Sequence, residues 1–220
     1  MPKIAPEART ARRGQILAAA ADCFAASGYH ATTMADVAAT AGVSKGTPYL
    51  YFPGKEALFL ALYDEWGCGV SDRAESAVAG LAEAGRRSPR TILRTVAASI
   101  AAHVTENPRT CRVLMEATTL AAYVPAIADK VRAATASNLD QFARLFAAGV
   151  AAGEWPRHTD PALAARLFTA GLYGLMGQWH NDPGSFSLET AMRALAGPDD
   201  HDPGTAHAPG PKGTTEGASP

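Results

Sequence analysis

Thr33-Met-Ala-Asp-Val-Ala-Ala-Thr-Ala-Gly-Val-Ser-Lys-Gly-Thr-Pro-Tyr-Leu-Tyr-Phe-Pro-Gly-Lys55 is the stretch that decides the fold. Thr33 precedes an apolar-periodic run and has Asp36 three residues on, a variant of the capping box. Met34, Val37, Ala38 and Ala41 share one helical face. Gly42 stands where a helix closes through a left-handed residue. Val43 is placed to plug the angle between two helices, and Ser44 to cap a second helix over Lys45 to Phe52. Short helix, glycine turn and second helix make a helix-turn-helix, whose second helix enters the DNA major groove.

With the helix before it, this segment resembles the DNA-binding domain of the tetracycline-repressor (TetR) family, from about Arg13 to about Tyr63. The markers are Phe24, Gly28-Tyr29, Thr33, Val37-Ala38, Ala41-Gly42-Val43-Ser44, Lys45-Gly46-Thr47, Tyr49, Tyr51-Phe52 and Lys55-Glu56-Ala57-Leu58. Two positions depart from the pattern. Pro48 replaces a larger apolar residue, in or just past the first helical turn, where a missing N–H costs least. Gly54 replaces serine and can still serve as an N-cap. The resemblance implies that Thr33, Thr47, Tyr51 and Lys55 hold phosphates and that Lys45, Gly46 and Tyr49 read base edges, with Ser44 completing the set. Tyr51 also has a competing reading as a core aromatic beside Phe52. Arg9, Arg12 and Arg13 read equally as groove contacts and as a solvated charged terminus.

The chain has 220 residues, of which 47% are apolar, enough for a substantial core. A formal charge of −1 excludes a protein that grips nucleic acid through bulk charge, so any such surface must be local. Up to Lys55, basic residues outnumber acidic ones; after Gly197 the balance reverses. Cys23, Cys68 and Cys111 have neither disulfide-framework nor metal-ligand spacing, which fits a reducing, cytoplasmic setting. The N-terminus has no apolar signal region, and no apolar run reaches membrane-spanning length. No cofactor and no metal are expected.

The periodicity predicts an all-α chain: a mobile arm over 1–12, three helices over 13–60, further helices over 61–196, and a disordered tail over 197–220. The resemblance implies that 13–60 is a helix-turn-helix reading domain and 61–196 an effector-binding and dimerisation domain. The first helix is expected over Arg13–Ser27. A helix from Lys55 toward Leu81 joins the halves, with a bend possible at Gly67 and Gly69. Gly85–Pro89 reads as a break, and further helices follow from about Arg90, Arg109, Pro125, Pro161 and Ser187.

The second half resembles the family more weakly, and the resemblance implies dimerisation and a small effector. Leu167 to Met176 is apolar nearly all round, which predicts burial on all sides. With Gly171, Leu172, Gly174, Leu175 and Gln178, and with the Ser187–Leu195 helix beside it, it is the expected dimer interface, a four-helix contact between two copies. Asn138 and Gln141 fall on the core-facing stripe of the long helix, as ligand partners, as members of an internal hydrogen bond or at the stripe's edge. The full candidate effector set is Trp66, His103, Met115, Thr118, Thr119, Asn138, Gln141, Phe142 and Trp179. His103 has a structural reading beside it, and the tryptophans have a core one. Cys111 reads either as a redox sensor or as inert packing.

Three functions compete: a homodimeric repressor of double-stranded operator DNA released by a small, mostly apolar molecule; an effector-independent regulator or activator; and an enzyme. The chain lacks a nucleophile elbow, a paired-carboxylate cleft and a metal cluster, so the enzyme is set aside.

Overall fold

The computed structural model describes residues 6–83 and 88–198. The expected tail from 199 onward, the first five residues and most of the break before Pro89 lie outside them. The described residues are helical, with no strand among them.

Helix α1 spans Pro6–Ala31 and α2 Met34–Thr40. Residues 6–12, expected as part of a mobile arm, are the first turns of α1: Pro6 suits a first turn, and Glu7 complements the helix N-terminus. Gly28, at φ 76°, interrupts the helical geometry near the other end. Thr33 and Asp36 close the capping box as read. The Thr33 Oγ1 accepts from the Asp36 N–H at 3.2 Å, and Asp36 Oδ2 accepts from the Thr33 N–H at 2.9 Å. Gly42, at φ 64°, ends α2 in a Schellman turn: the Val43 N–H reaches the Ala38 carbonyl and the Gly42 N–H reaches that of Ala39.

The segment after the turn differs from expectation. Only Pro48–Leu50 is helical, and as a single 3₁₀ turn rather than an α-helix over Lys45–Phe52. Pro48 has no N–H to return to the Ser44 carbonyl. The bonds around it tighten to i→i−3, Thr47 to Ser44 at 2.9 Å and Leu50 to Thr47 at 3.1 Å. Ser44 does not cap a helix through its side chain; its hydroxyl pairs with that of Thr47 at 2.7 Å.

Helix α3, Lys55–Glu83, runs without a break past Gly67 and carries the chain from the reading domain into the second half. There α4 (Pro89–Glu106), α5 (Pro108–Leu120), α6 (Pro125–Ala151), α7 (Pro161–Asn181) and α8 (Leu188–Ala194) form the bundle. Each of α4 to α7 opens on a proline, whose missing N–H costs nothing there. Ser88, Asp160 and Ser187 cap α4, α7 and α8 through side-chain oxygens. α6 packs on α7, α3 on α4, and α4 on α8.

Two aromatic clusters anchor the halves. Phe24, Tyr29 and Phe59 lock α1 to the start of α3. Phe142, Phe146, Phe168 and Trp155 lock α6 to α7 and to the loop between them.

Candidate nucleic-acid interface and effector cavity

The reading domain presents one polar edge. Lys45 and Gly46 are exposed, and Tyr49 is 56% exposed on the 3₁₀ turn. Pro48 between them is buried, so the turn is pinned from below while its outer residues face solvent. Thr33 is exposed at the N-terminus of α2, and the Thr47 hydroxyl is tied to Ser44. Tyr51 is half-buried and packs against the core, which keeps its competing core reading alive. Lys55 is half-buried: its Nζ donates to the carbonyls of Tyr29 at 2.7 Å and His30 at 3.1 Å, and lies 4.6 Å from the Tyr29 ring centroid. Two of the three ammonium donors therefore serve the end of α1.

The helical first turns of α1 flank this edge. Arg13 lies over the Phe52 ring at 5.1 Å, and Arg12 donates to Gln15, whose Nε2 donates to the Ala41 carbonyl in the turn.

The second half holds a cavity of about 540 Å³ between α3, α4, α6 and α7. Four expected effector residues line it: Trp66, Asn138, Gln141 and Phe142. Asn138 and Gln141 do so from exposed positions rather than from the core stripe, because α6 turns that edge toward the mouth. His103, Met115, Thr118, Thr119 and Trp179 do not line it. His103 instead stands at the α1–α4 cleft, edge-on to Trp66, with its pKa lowered by burial and then by Arg73. Thr118 and Thr119 are exposed on α5, and Met115 faces Gly177. Residues outside the expected effector set complete the walls: Val70, Val96, Ile100, Thr169, Tyr173 and Met176. Their spacing on α3, α4 and α7 carried the signal, but only knowledge of which helices face one another converts it into a cavity. Cys111 is fully buried, and burial pushes its thiol pKa up to about 11, the state of an inert packing residue.

Residues 16–62 match the model of bacterial regulatory proteins of the tetR family, and residues 89–198 match that of the BetI-type transcriptional repressor C-terminal domain. The chain belongs to the TetR family. Over 53 residues it is 46% identical to the HTH-type transcriptional regulator RutR of Escherichia coli K12, covering 24% of this chain. That stretch spans 25% of the relative's own length. The chain superposes on the SmeT–triclosan complex with a TM-score of 0.71 at 24% identity, over 92% of this chain and 100% of the other. SmeT is the repressor of a Stenotrophomonas maltophilia multidrug efflux pump. FadR of Bacillus subtilis in complex with stearoyl-CoA superposes with a TM-score of 0.70 at 20% identity, over 84% and 97%. At these identities the superpositions establish the fold.

In this TetR-family chain α7 is not buried all round. Leu163 and Leu167 are 53% and 64% exposed, Gln178 is exposed, and a Cβ on Gly174 would meet nothing within 4 Å. Two expected interface residues point the other way. Leu172 is buried and lines the cavity, and a Cβ on Gly171 would lie 2.7 Å from Leu195, which caps the end of α8. Leu175 is half-buried against the core. Burial of the helix is split between the bundle and one open apolar face. Among the described residues no single helix is long and apolar enough to cross a membrane.

Proposed function

We propose that this protein is a homodimeric transcriptional repressor acting in the cytoplasm. It binds double-stranded operator DNA through the Lys45–Tyr49 edge and is released by a small, elongated, mostly apolar effector. The observation that carries the reading is the pairing of an exposed edge, Lys45, Gly46 and Tyr49, with the buried Pro48 that fixes it. Thr33, Thr47 and the N-termini of α2 and α3 lie where phosphate oxygens would find donors. Lys55 contributes its charge and its remaining donor.

Dimerisation is supported by the open apolar face of α7. A stripe carrying Leu163, Leu167 and Gly174 is suited to its own symmetric copy, an isologous contact that would set two reading edges toward successive major grooves.

The effector class follows from the walls. The cavity falls within the range of about 300–1,000 Å³ used for small ligands. Along α3 it extends from Trp66 to Ala79, a run of roughly 20 Å at the helical rise. Its charged and amide side chains, Glu75, Asn138 and Gln141, sit on exposed positions. The buried Thr169 hydroxyl is spent on the Ala165 carbonyl, and the Trp66 Nε1 is a buried donor without a partner among the described residues, so a chain would lie inside and its more polar end outside. SmeT in complex with triclosan and FadR in complex with stearoyl-CoA, whose acyl chain is apolar and whose CoA end is polar, support a ligand-binding reading for this fold.

The test is selection of duplexes from a randomised pool by the purified protein, followed by sedimentation of the complex. Enrichment of a two-fold symmetric site bound by a dimer is expected. No enrichment over a shuffled pool overturns the DNA reading, and a monomer on a half-site overturns the dimer.

A further inference from the structure

Tyr29 is held from both halves of the chain. The left-handed Gly28 breaks the helical ladder of α1, so the Tyr29 N–H leaves its own helix. It donates instead to Glu116 Oε1 of α5 at 2.6 Å. A Cβ on Gly28 would stand 3.2 Å from that same oxygen, so the carboxylate lies close against the kink. The Tyr29 carbonyl takes the Lys55 ammonium at the start of α3. A buried ring completes the node, packed edge-on against Phe59.

A second tie repeats the first. Arg109 of α5 pairs with Asp22 of α1 at 2.6 Å. Asp22 precedes Tyr29, and Arg109 precedes Glu116, by the same two helical turns, about 10 Å along each axis. The two helices therefore run parallel and are tied at two rungs. The reading elements hang from the end of α1. Thr32 donates to the carbonyls of Gly28 at 2.8 Å and Cys23 at 3.1 Å, and Thr33 opens α2 directly after it. On its other sides α5 packs against α6 and α7, two walls of the cavity.

We infer that Glu116 is a positioning residue for the reading head: it fixes the angle of α1 and α2 against the second half, and so the separation of the two heads in a dimer. The inference rests on the DNA-binding, dimeric reading above. Shifting one half-site by a single base pair moves it by roughly 3.4 Å and turns it by roughly 34°, so a rigid pair of heads is sensitive to spacing and a loose pair is not.

The experiment uses the duplex selected by the wild-type protein, with one to three base pairs added or removed between half-sites. Wild type should lose at least about tenfold in affinity away from its optimum. Glu116→Ala should keep the same base preferences within a half-site but show a flattened spacing profile. Glu116→Gln, whose amide oxygen can still accept the Tyr29 N–H, should restore the sharp one. A spacing profile in Glu116→Ala as sharp as wild type overturns the inference while leaving the DNA reading intact. Failure of wild type to bind any duplex overturns both. Should Glu116→Ala not fold, Arg109→Ala cuts the other rung, and an unchanged profile there counts equally against the inference.

Discussion

The Lys55 ammonium donates to the Tyr29 carbonyl at 2.7 Å, across 26 residues, and so closes the end of α1 with the first residue of α3. A cation suits the carbonyl end of a helix, where orphan acceptors and the helix dipole both favour it. Removing it strands two carbonyls at a half-buried junction. Lys55→Ala should cost about 1–2 kcal/mol of stability, a drop in Tm of several degrees for a chain of this size. DNA affinity should fall with it for all sequences alike. Thermal unfolding and salt-dependent binding measured on one preparation check this; weakened DNA binding with unchanged Tm would return Lys55 to a pure phosphate role.

Lys45 makes the contrasting case. It is exposed and caps nothing, so Lys45→Ala should leave stability within about 0.5 kcal/mol of wild type. Its effect should appear as relaxed discrimination at one position of the half-site, worth about 1–3 kcal/mol if the contact is to a guanine edge. Competition among single-base operator variants reads this out. Uniform weakening across all variants would place Lys45 on phosphate instead.

These contrasts mark how far the sequence alone reaches. Capping box, glycine turn and proline-opened helices are local chemistry, and they stand in the structure where the residues Thr33, Asp36, Gly42, Pro125 and Pro161 put them. Pro48 was legible as a departure, but its consequence was not, because the cost of a missing N–H depends on whether the helix has already begun. Glu116 left no local trace. Its partner is the Tyr29 amide freed by Gly28, 87 residues away in the chain, and only the parallel docking of α1 and α5 brings the two together. The same holds for the cavity. Trp66 and Phe142 announced themselves as large aromatics, whereas Val96 and Ile100 are ordinary stripe residues until α4 is set opposite α6 and α7.

His103 gives a pH dependence with a definite sign. Burial, then the Arg73 guanidinium, lower its pKa below the ordinary 6.5, with Glu106 partly opposing. The unfolded chain therefore binds a proton at a higher pH than the folded one. Above the ordinary value neither state is protonated and stability is unaffected. As pH falls below about 6.5 the unfolded state gains protons first and stability declines. His103→Gln should flatten denaturation midpoints in that window. A wild-type midpoint that rises on acidification between pH 7 and 5.5, in step with the presence of His103, would contradict the sign.

Gly174 and Gly171 are one turn apart on α7 and should answer differently. Nothing lies within 4 Å of a Cβ at Gly174, so Gly174→Arg should leave the protomer folded yet yield monomers by sedimentation, with operator binding lost far from the DNA. A Cβ at Gly171 drives into Leu195 at 2.7 Å, so Gly171→Val should displace α8, at about 1–3 kcal/mol, before it affects association. A dimeric Gly174→Arg protein would move the interface elsewhere.

The cavity makes the prediction most open to direct measurement. If its apolar run from Trp66 to Ala79 receives an extended chain, each added methylene should strengthen binding until the chain fills the roughly 20 Å available. The increment should approach about 0.8 kcal/mol per CH₂, the transfer value for burial from water. A series of linear primary alcohols, uncharged and differing only in length, isolates that term. Ligand-dependent Tm should climb along the series and then level off, because stabilisation follows ligand concentration over Kd. Val96 sits mid-way along the α4 wall, between Ile92 and Ile100. Val96→Trp should plug the slot there, so that the plateau arrives at shorter alcohols while the unliganded Tm changes little or rises. Bound alcohols should also weaken the DNA complex, and do so in the same length order. A Tm response independent of chain length, or identical plateaus in wild type and Val96→Trp, would remove the chain-shaped effector and leave a compact ligand as the occupant.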